Sequence, residues 1–338
     1  MFDLARSDEQ AQLVDSVRSL LSRECPTDRV RESEGMAGFD SALWARCLEL
    51  SLLEMTLPGG GATLLDAAFV AELLGEFLAP VPLTEAVVAA RLLARLDEPD
   101  LLAAALAGET VLSFAPRPPV DGILVAVPAG AVAHHVVFLD GDSLCLTADP
   151  VPASAPANLG GLPVADRDTA GSRVLVSGPD ARALHAAALG EWKSLVAAQL
   201  VGSGRKALRL GIDYASEREA FGAKVASFQA IAHRLADVAT ALDAAQLLGW
   251  EAAWAHDGRP AESAVPSAAQ LSSMALILAT DAAATATRES LHVFGGYGFM
   301  LEYDIQLYFR RVKAMTLLVG DITREPEHLA DLLWGEGT

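Results

Sequence analysis

Apolar residues recur at three- and four-residue intervals over the first third of the chain, a spacing that predicts amphipathic helices. Two such ladders stand out: Leu13, Val17, Leu20 and Leu21 form one, and Ala68, Val70, Leu73, Leu74 and Phe77 form the other. Segments 57–61 and 79–82 are rich in Gly or Pro and separate the predicted helices. We therefore predict an N-terminal α-helical domain over residues 1–107.

The pattern changes between residues 108 and 181, where short β-prone runs alternate with Pro, Gly and Asp. The runs predicted as strands are residues 111–114, 122–127, 136–139, 143–146 and 173–176. Runs of this length with turn residues between them are typical of a small, mostly antiparallel sheet. This stretch is therefore predicted to be a small central β-domain over residues 108–181.

Long helical periods return in the last part of the chain, and the best runs from Phe228 to about His256. Its apolar positions are Phe228, Ile231, Leu235, Val238 and Leu242, and its opposite face carries Arg234, Asp237 and Asp243. A C-terminal helical domain is expected over residues 182–338. Helix, sheet and helix in this order make the expected fold class α+β.

The composition excludes several classes of protein and of binding partner. The 338 residues are 52% apolar and 20% charged, which excludes a disordered or fibrous chain. The 25 basic and 44 acidic residues give a net charge of −19, so neither nucleic acid nor an anionic membrane surface is an expected partner. The most apolar stretches, 101–106 and 122–139, are interrupted before the 18 to 20 residues that a membrane span needs.

The cysteines and the charged N-terminal residues indicate the cellular compartment in which the protein is expected. Cys25, Cys47 and Cys145 are few, odd in number and far apart, so neither a disulfide framework nor a metal site is expected. Arg6 and Asp8 lie where a secretory signal peptide would have its apolar core. We expect a reduced, cytoplasmic protein.

Two glycine-containing motifs carry candidate chemistry. Residues 218–222 read R-E-A-F-G, with Phe228 and Gln229 beginning the long helix, and residues 292–299 read H-V-F-G-G-Y-G-F. Glycines let backbone amides approach an anionic ligand, and an arginine near a phenylalanine suits a phosphate beside a ring. Each motif alone could be a helix end or a surface ion pair. Their joint occurrence beside two long helices favours a ligand site.

These motifs resemble two signatures of the acyl-CoA dehydrogenase family, and the resemblance extends over nearly the whole chain. Segment 7–18 resembles the family's first helix, and V-A-E-L-L-G at 70–75 resembles a helix near its acyl pocket. The resemblance implies an N-terminal helical domain, a central β-domain and a C-terminal four-helix bundle. It also implies FAD-dependent α,β-desaturation of an acyl-CoA thioester, in which a carboxylate removes the α-proton.

The family places its catalytic glutamate at one of two positions, and both are apolar in this chain. Counting from the two signatures leads to Val319 and Trp192, neither of which can accept a proton. Glu191 and Asp321 stand one and two positions away, and one residue turns a helical side chain by about 100°. We therefore expect both to be solvated carboxylates and assign no catalytic residue to this chain.

In the family, FAD lies across a dimer interface, and one subunit holds the adenine and pyrophosphate bound to its neighbour. By the resemblance, the cofactor-binding residues of this kind are Arg218, Phe221, Gln229, His292, Gly295 and Gly296. The segment S-F-A-P-R-P-P at 113–119 stands where the family has a threonine- and glycine-rich segment that holds the flavin ring. The half of the site that binds the flavin ring is therefore expected to be reduced.

One half kept and one half reduced is the pattern of a subunit that completes a partner's active site. The implied partner is a homologous catalytic acyl-CoA dehydrogenase subunit in a heterotetramer, as in actinobacterial enzymes of steroid side-chain degradation. Two alternatives stay open: a self-sufficient homo-oligomeric dehydrogenase with a relocated base, acting on acyl-CoA or an acyl-carrier-protein thioester, and a scaffold without flavin that binds an acyl thioester or a protein.

Overall fold

The computed structural model describes residues 6–258 and 266–335. Its first part is helical: α1 (Asp8–Glu24), α2 (Thr27–Glu34), α3 (Ser41–Glu49), α4 (Leu64–Phe77), α5 (Leu83–Arg95) and α6 (Pro99–Leu106). Ser7 and Thr63 cap α1 and α4 by accepting hydrogen bonds from backbone amides of the first turn. The two predicted apolar ladders lie on α1 and α4, where Val17 and Leu74 are buried, so both helix predictions are confirmed.

Six strands follow: β1 (Leu112–Phe114), β2 (Ile123–Val127), β3 (His135–Asp140), β4 (Ser143–Leu146), β5 (Ala165–Asp168) and β6 (Arg173–Ser177). One sheet has the order β1-β3-β4-β6, and β2 pairs with β5. All pairs are antiparallel except β1 with β3. The five predicted strands are confirmed. The sequence pattern missed β5, because A-D-R-D lacks β-branched residues and its inward side chain is Arg167, a buried cation bonded to Asp149.

The chain then returns to helices: α7 (Pro179–Glu217), α8 (Gln229–Gly258), α9 (Ala268–Phe294), α10 (Ile305–Leu318) and α11 (Glu325–Trp334). A short hairpin, β7 (Glu219–Ala220) with β8 (Ala223–Lys224), joins α7 to α8. Small residues allow α7 and α9 to approach closely, because a side chain on Gly211 would collide with Ser290. Helices α7 to α10 form the expected four-helix arrangement, and the predicted face of α8 is confirmed by the burial of Leu235, Val238 and Leu242.

The N-terminal and C-terminal helices share one hydrophobic core. Helix α4 packs directly on α7, where Gly75 lies against the backbone of Gln199. A smaller cluster around Phe138 and Val136 lies within the strand region. Element type changes between residues 106 and 112 and again between 177 and 179, but the domain limits at 107 and 181 stay a prediction. Within the described residues, no helix is both long and apolar enough to cross a membrane.

Candidate cofactor site and buried cavity

The fold brings the two glycine-containing motifs to one end of the helical bundle. Tyr214, one turn before the end of α7, stacks on Phe294 at the end of α9 with ring centroids 4.1 Å apart. Tyr303 meets both rings edge-on. Arg234 near the start of α8 pairs with Glu289 on α9, 3.3 Å apart. We call this region the motif end. It includes residues 218–229 and 292–300.

All six predicted cofactor-binding residues lie at the motif end and are exposed: Arg218, Phe221, Gln229, His292, Gly295 and Gly296. Arg218 ends α7, Gln229 is the first residue of α8, and His292 lies in the last turn of α9. The prediction that these residues share one surface agrees with the structure, whereas their role toward a cofactor stays a prediction.

Arg218 and Phe221 have few contacts of their own. The Arg218 side chain makes no ion pair or hydrogen bond within the described parts of the chain, whereas Arg205 on the same helix pairs with Asp243. Phe221 is 100% exposed and has a left-handed backbone with φ of 55°. The ring of Phe221 meets that of Phe228 edge-on at 6.4 Å, and Tyr297 and Phe299 of the same motif end are also exposed.

The glycine pair differs residue by residue. Gly295 caps α9 with a φ of 61°, a conformation that strains any residue with a side chain. Gly296 has an ordinary φ, and a side chain added there would meet no protein atom within 4 Å. The packing of this chain therefore explains a glycine at position 295 and does not require one at position 296.

The two positions where the family places its base hold the predicted apolar residues in the structure. Val319 follows the last residue of α10, and Trp192 lies inside α7 with 1% of its surface exposed. Neither of these two positions therefore holds a carboxylate that could act as a base.

Glu191 is not the solvated carboxylate that the sequence predicted. It is 1% exposed and accepts two hydrogen bonds from Arg91, at 3.0 and 3.3 Å, and another from Arg95. Arg91 also donates to Asp257 at 2.7 Å. The prediction failed because these arginines are about a hundred positions away in sequence. The carboxylate joins α5 to α7, and its oxygens are occupied by two guanidinium groups.

Asp321 agrees with its prediction. It is exposed and accepts hydrogen bonds from the backbone amide and the hydroxyl of Thr323, at 3.1 and 2.6 Å. These bonds hold the pKa of the Asp321 carboxyl below its ordinary value. The residue caps the short 3₁₀ turn Ile322–Arg324.

Segment 113–119, where the family binds the flavin ring, uses its polar groups internally. The buried Ser113 hydroxyl donates to the carbonyl oxygen of Pro128. Phe114 is buried against the ring of His185, 5.1 Å away, and burial lowers the pKa of that histidine. Arg117 donates to the carbonyl oxygen of Val125. No hydroxyl of this segment is available for a flavin ring.

A cleft that the sequence did not indicate opens between α5, α7, α10 and the strand region. It contains about 530 Å³, including space open to solvent at its mouth. The polar residues on its wall are Glu85, Gln199 and Arg311, and Trp192 lies beside them. The apolar lining includes Ala79, Pro80, Val81, Pro82, Pro128, Ala129, Leu162, Pro163, Val164, Val196, Met315 and Leu318.

Glu85 lies on this wall in the first turn of α5. Removal from water raises the pKa of its carboxyl, while a bond from its own backbone amide and the nearby Trp192 indole act in the opposite direction. The indole nitrogen itself makes no hydrogen bond of normal geometry. Acidic residues are common in the first turn of a helix, where they interact favourably with the helix dipole. The sequence pattern therefore gave no reason to choose Glu85 as a site residue.

Other side chains of the helices have ordinary roles. His233 is exposed. Trp250 packs edge-on against Phe69 at 5.1 Å and donates to Glu72, so it joins α8 to α4. Cys25 and Cys47 are free and buried, and burial raises the pKa of each thiol to about 12. The described residues contain no cluster of side chains suited to a metal ion.

The chain is similar in sequence to known acyl-CoA dehydrogenases. Residues 184–330 match the family model described as acyl-CoA dehydrogenase, C-terminal domain. The acyl-CoA dehydrogenase IpdE2 of Mycolicibacterium smegmatis is 29% identical over 93% of this chain and 95% of its own length.

Two solved structures share the fold. The ChsE4-ChsE5 complex of Mycobacterium tuberculosis contains a chain that aligns over 100% of both chains with a TM-score of 0.87 and 24% identity. The Tcur3481-Tcur3483 steroid ACAD variant aligns over 96% of this chain and 98% of its own, with a TM-score of 0.84 and 24% identity. The C-terminal part of the chain therefore matches the acyl-CoA dehydrogenase family, and the chain as a whole is similar to an acyl-CoA dehydrogenase over nearly its full length and has the fold of these solved structures.

Proposed function

We propose that this chain is a non-catalytic subunit of an FAD-dependent acyl-CoA dehydrogenase and completes the FAD site of a homologous catalytic subunit. The observation that carries the proposal is the contrast between the exposed motif end and the occupied carboxylates. The six motif residues point outward from the chain, while neither family position for the base holds a carboxylate.

FAD is the cofactor of the acyl-CoA dehydrogenase family, and the residues of this chain suit one half of it. The free guanidinium of Arg218 would pair with the pyrophosphate, and Gly295 and Gly296 would let it approach the backbone. Phe221 would cover a ring of the nucleotide. The flavin-ring half does not fit segment 113–119, whose hydroxyl is already bonded. When bound, the flavin would accept the hydride, and the partner would supply the ring site.

The alternative of a self-sufficient enzyme with a relocated base lacks support from its two candidate residues. Both oxygens of Glu191 are bonded to arginines, and Asp321 is occupied by Thr323. A general base must have an oxygen within hydrogen-bond reach of the proton it removes. We therefore assign proton removal to the partner subunit.

For the substrate, we propose an acyl-CoA thioester, with a steroid side-chain thioester as the first class to test. The support is the steroid enzyme among the structures of the same fold and the two-component complexes in which that fold occurs. We also propose a heterotetramer, since each of those structures is named for two different chains.

Co-purification with a tagged form of this chain from its native host would identify the partner. The chain and the partner would then be produced singly and together. We expect the chain alone to lack flavin absorption and to turn over no acyl-CoA, and the pair to contain FAD and to reduce an artificial electron acceptor. Stoichiometric FAD and turnover in the chain alone would overturn the proposal and favour the self-sufficient enzyme.

A further inference from the structure

A groove between α1, α4, α7 and α8 collects basic side chains on a chain whose net charge is −19. Its volume is about 1390 Å³, including space open to solvent, and we call it the basic groove. The cations that line it are Arg18, Arg205, Lys206 and Arg209. None of its lining residues belongs to the motif end or to the cleft between α5, α7 and α10. A local cluster of cations on an acidic protein draws anions to that place.

Three of these cations lie within about one turn of α7. Arg209 is four positions after Arg205 and three after Lys206, so it is a neighbour of both on the helix surface. The side chains of Lys206 and Arg209 make no hydrogen bond or ion pair within the described residues. Like charges at this spacing destabilise a helix, and an anion between them would remove that cost.

Arg205 is satisfied by the chain only in part. Its Nη2 donates to Asp243 on the exposed side and to Gln246 at 2.9 Å. Its Nε is buried and has no hydrogen-bond partner among the described residues. A buried N–H without a partner is costly, and such groups are normally bonded to a ligand or an ordered water.

Two carboxylates of the groove are already engaged. Glu76 accepts a hydrogen bond from Arg18 at 2.7 Å. Glu72 accepts one from Gln246 and another from the Trp250 indole at 3.2 Å, and removal from water raises the pKa of its carboxyl. A raised pKa favours the neutral form, so Glu72 is a poor partner for a further cation.

The third carboxylate of the groove is Asp213, which is exposed and lies about two turns beyond Lys206 on α7. The end of the groove at Arg205 and Lys206 is therefore rich in donors and poor in free acceptors. A phosphate group carries up to two negative charges and three acceptor oxygens, which suits donors from several cationic side chains. Ile212 exposes an apolar side chain farther along the same groove.

We propose that the basic groove binds the phosphate group of a phosphate monoester through Arg205, Lys206 and Arg209, while the organic part of the ligand lies over Ile212. The site is separate from the motif end, because Arg209 lies nine residues before Arg218, about 13 Å along the helix axis. The proposal therefore requires neither flavin nor a partner subunit.

Inorganic phosphate, phenyl phosphate and benzoate are the probes, since they separate the phosphate group from the ring and from a single negative charge. Their dissociation constants would be measured by isothermal titration calorimetry with the full chain at constant ionic strength. We expect phenyl phosphate to bind most tightly. Lys206→Gln and Arg209→Ala each remove a charged donor and should weaken phenyl phosphate binding about tenfold. Lys313→Gln, an exposed lysine on α10, is the matched control.

Two further variants locate the ligand. Arg218→Ala, at the motif end, should retain the binding that Lys206→Gln loses. Ile212→Ala should weaken phenyl phosphate and leave inorganic phosphate unchanged, because it removes contact with the ring alone. The unfolding midpoint of each variant would be recorded with its affinities.

Several results would overturn the proposal. Equal affinities in Lys206→Gln and Lys313→Gln would show a general attraction of anions to the surface. A loss in Arg218→Ala without one in Lys206→Gln would place the phosphate at the motif end. Benzoate binding as tightly as phenyl phosphate would remove the phosphate class, and no effect of Ile212→Ala on phenyl phosphate would remove the monoester.

Discussion

The charged side chains around Glu191 in the interior have partners within the chain, whereas Arg218 at the motif end has none among the described residues. Inside, Arg91 and Arg95 bond Glu191, and Arg91 also bonds Asp257. At the motif end, Arg218 has no partner within the described residues, and Phe221 stays in water. The ion pairs of the interior stabilise the fold. The unpaired Arg218 side chain and the exposed Phe221 ring make no such contribution.

The chain differs from the family pattern at the positions of the base, whereas it keeps the family's motifs at the motif end. At the two family positions for the base, the chain has Val319 and the buried Trp192, and the neighbouring Glu191 forms ion pairs within the chain. Where a second subunit would contact the cofactor, the chain has left a free cation, an exposed ring and an open glycine. Substitutions in the two regions should therefore affect different measurements.

The largest expected effect is the loss of stability in Glu191→Ala. Removing this carboxylate leaves the buried Arg91 with one anionic partner instead of two, and breaking a buried pair from one side costs about 3–5 kcal/mol. Partial exposure of Arg95 places the expected value near the lower limit of that range. Urea unfolding measures the change.

The control for Glu191→Ala is Glu49→Ala, which removes an exposed pair with Arg46 and should cost less than about 1 kcal/mol. Equal stability of the two variants would contradict the structural role of Glu191. A fully stable Glu191→Ala complex that had lost turnover would instead return this residue to the candidates for the base.

Sequence reasoning succeeded where local pattern determines structure. The period of α8 is set by residues three and four positions apart, so Leu235, Val238 and Leu242 could be placed on its buried face. It failed for β5, where one long-range pair between Arg167 and Asp149 replaces the usual apolar alternation.

The candidate site shows the same limit. The motif end was predictable because each motif is contiguous in sequence. The environment of Glu191 and the cleft at Glu85 were not, because each is formed by helices distant in sequence. An acidic residue on α5 carries no local sign of whether an arginine or an apolar wall will face it after folding.

The next largest effect is expected for Arg218→Ala in the assembled complex. A charge-assisted hydrogen bond contributes about 1.5–3 kcal/mol, so FAD affinity should fall about ten- to a hundredfold. Stability should change little, since Arg218 has no partner within the described chain. Flavin content after dialysis and circular dichroism measure the two properties. Arg209→Ala, an exposed cation on the same helix, is the control. Equal FAD retention by both variants would remove Arg218 from the cofactor site.

A smaller effect is expected for Gly296→Val. Within the described residues, no atom lies within 4 Å of a Cβ added at this position, so the fold should tolerate the valine, while a bound pyrophosphate would be held farther from the backbone. Loss of about one hydrogen bond predicts a roughly fivefold weaker FAD affinity. Gly249→Val, where the added side chain also has open space, should retain the wild-type affinity. Normal FAD stoichiometry and affinity in Gly296→Val would show that the glycine only ends the helix.

The smallest effect is expected for Asp321→Asn. Because hydrogen bonds from Thr323 hold the folded pKa of Asp321 below its ordinary value, its contribution to stability is present above the ordinary aspartate pKa. That contribution should be lost as the pH falls through the lower, folded pKa. The difference in unfolding midpoint between wild type and Asp321→Asn should therefore be small at neutral pH and vanish in acid. Thr323→Val, which removes the hydroxyl that donates to this carboxylate, should weaken the same pH dependence.

Turnover of the complex should stay within about tenfold in Asp321→Asn, because removing a true base typically costs about 10²–10⁴. The exposed carboxylate is already engaged as a cap, and an asparagine oxygen can accept the same bonds. A thousandfold loss of turnover with FAD still bound would place the base in this chain. It would also overturn the assignment of proton removal to the partner subunit.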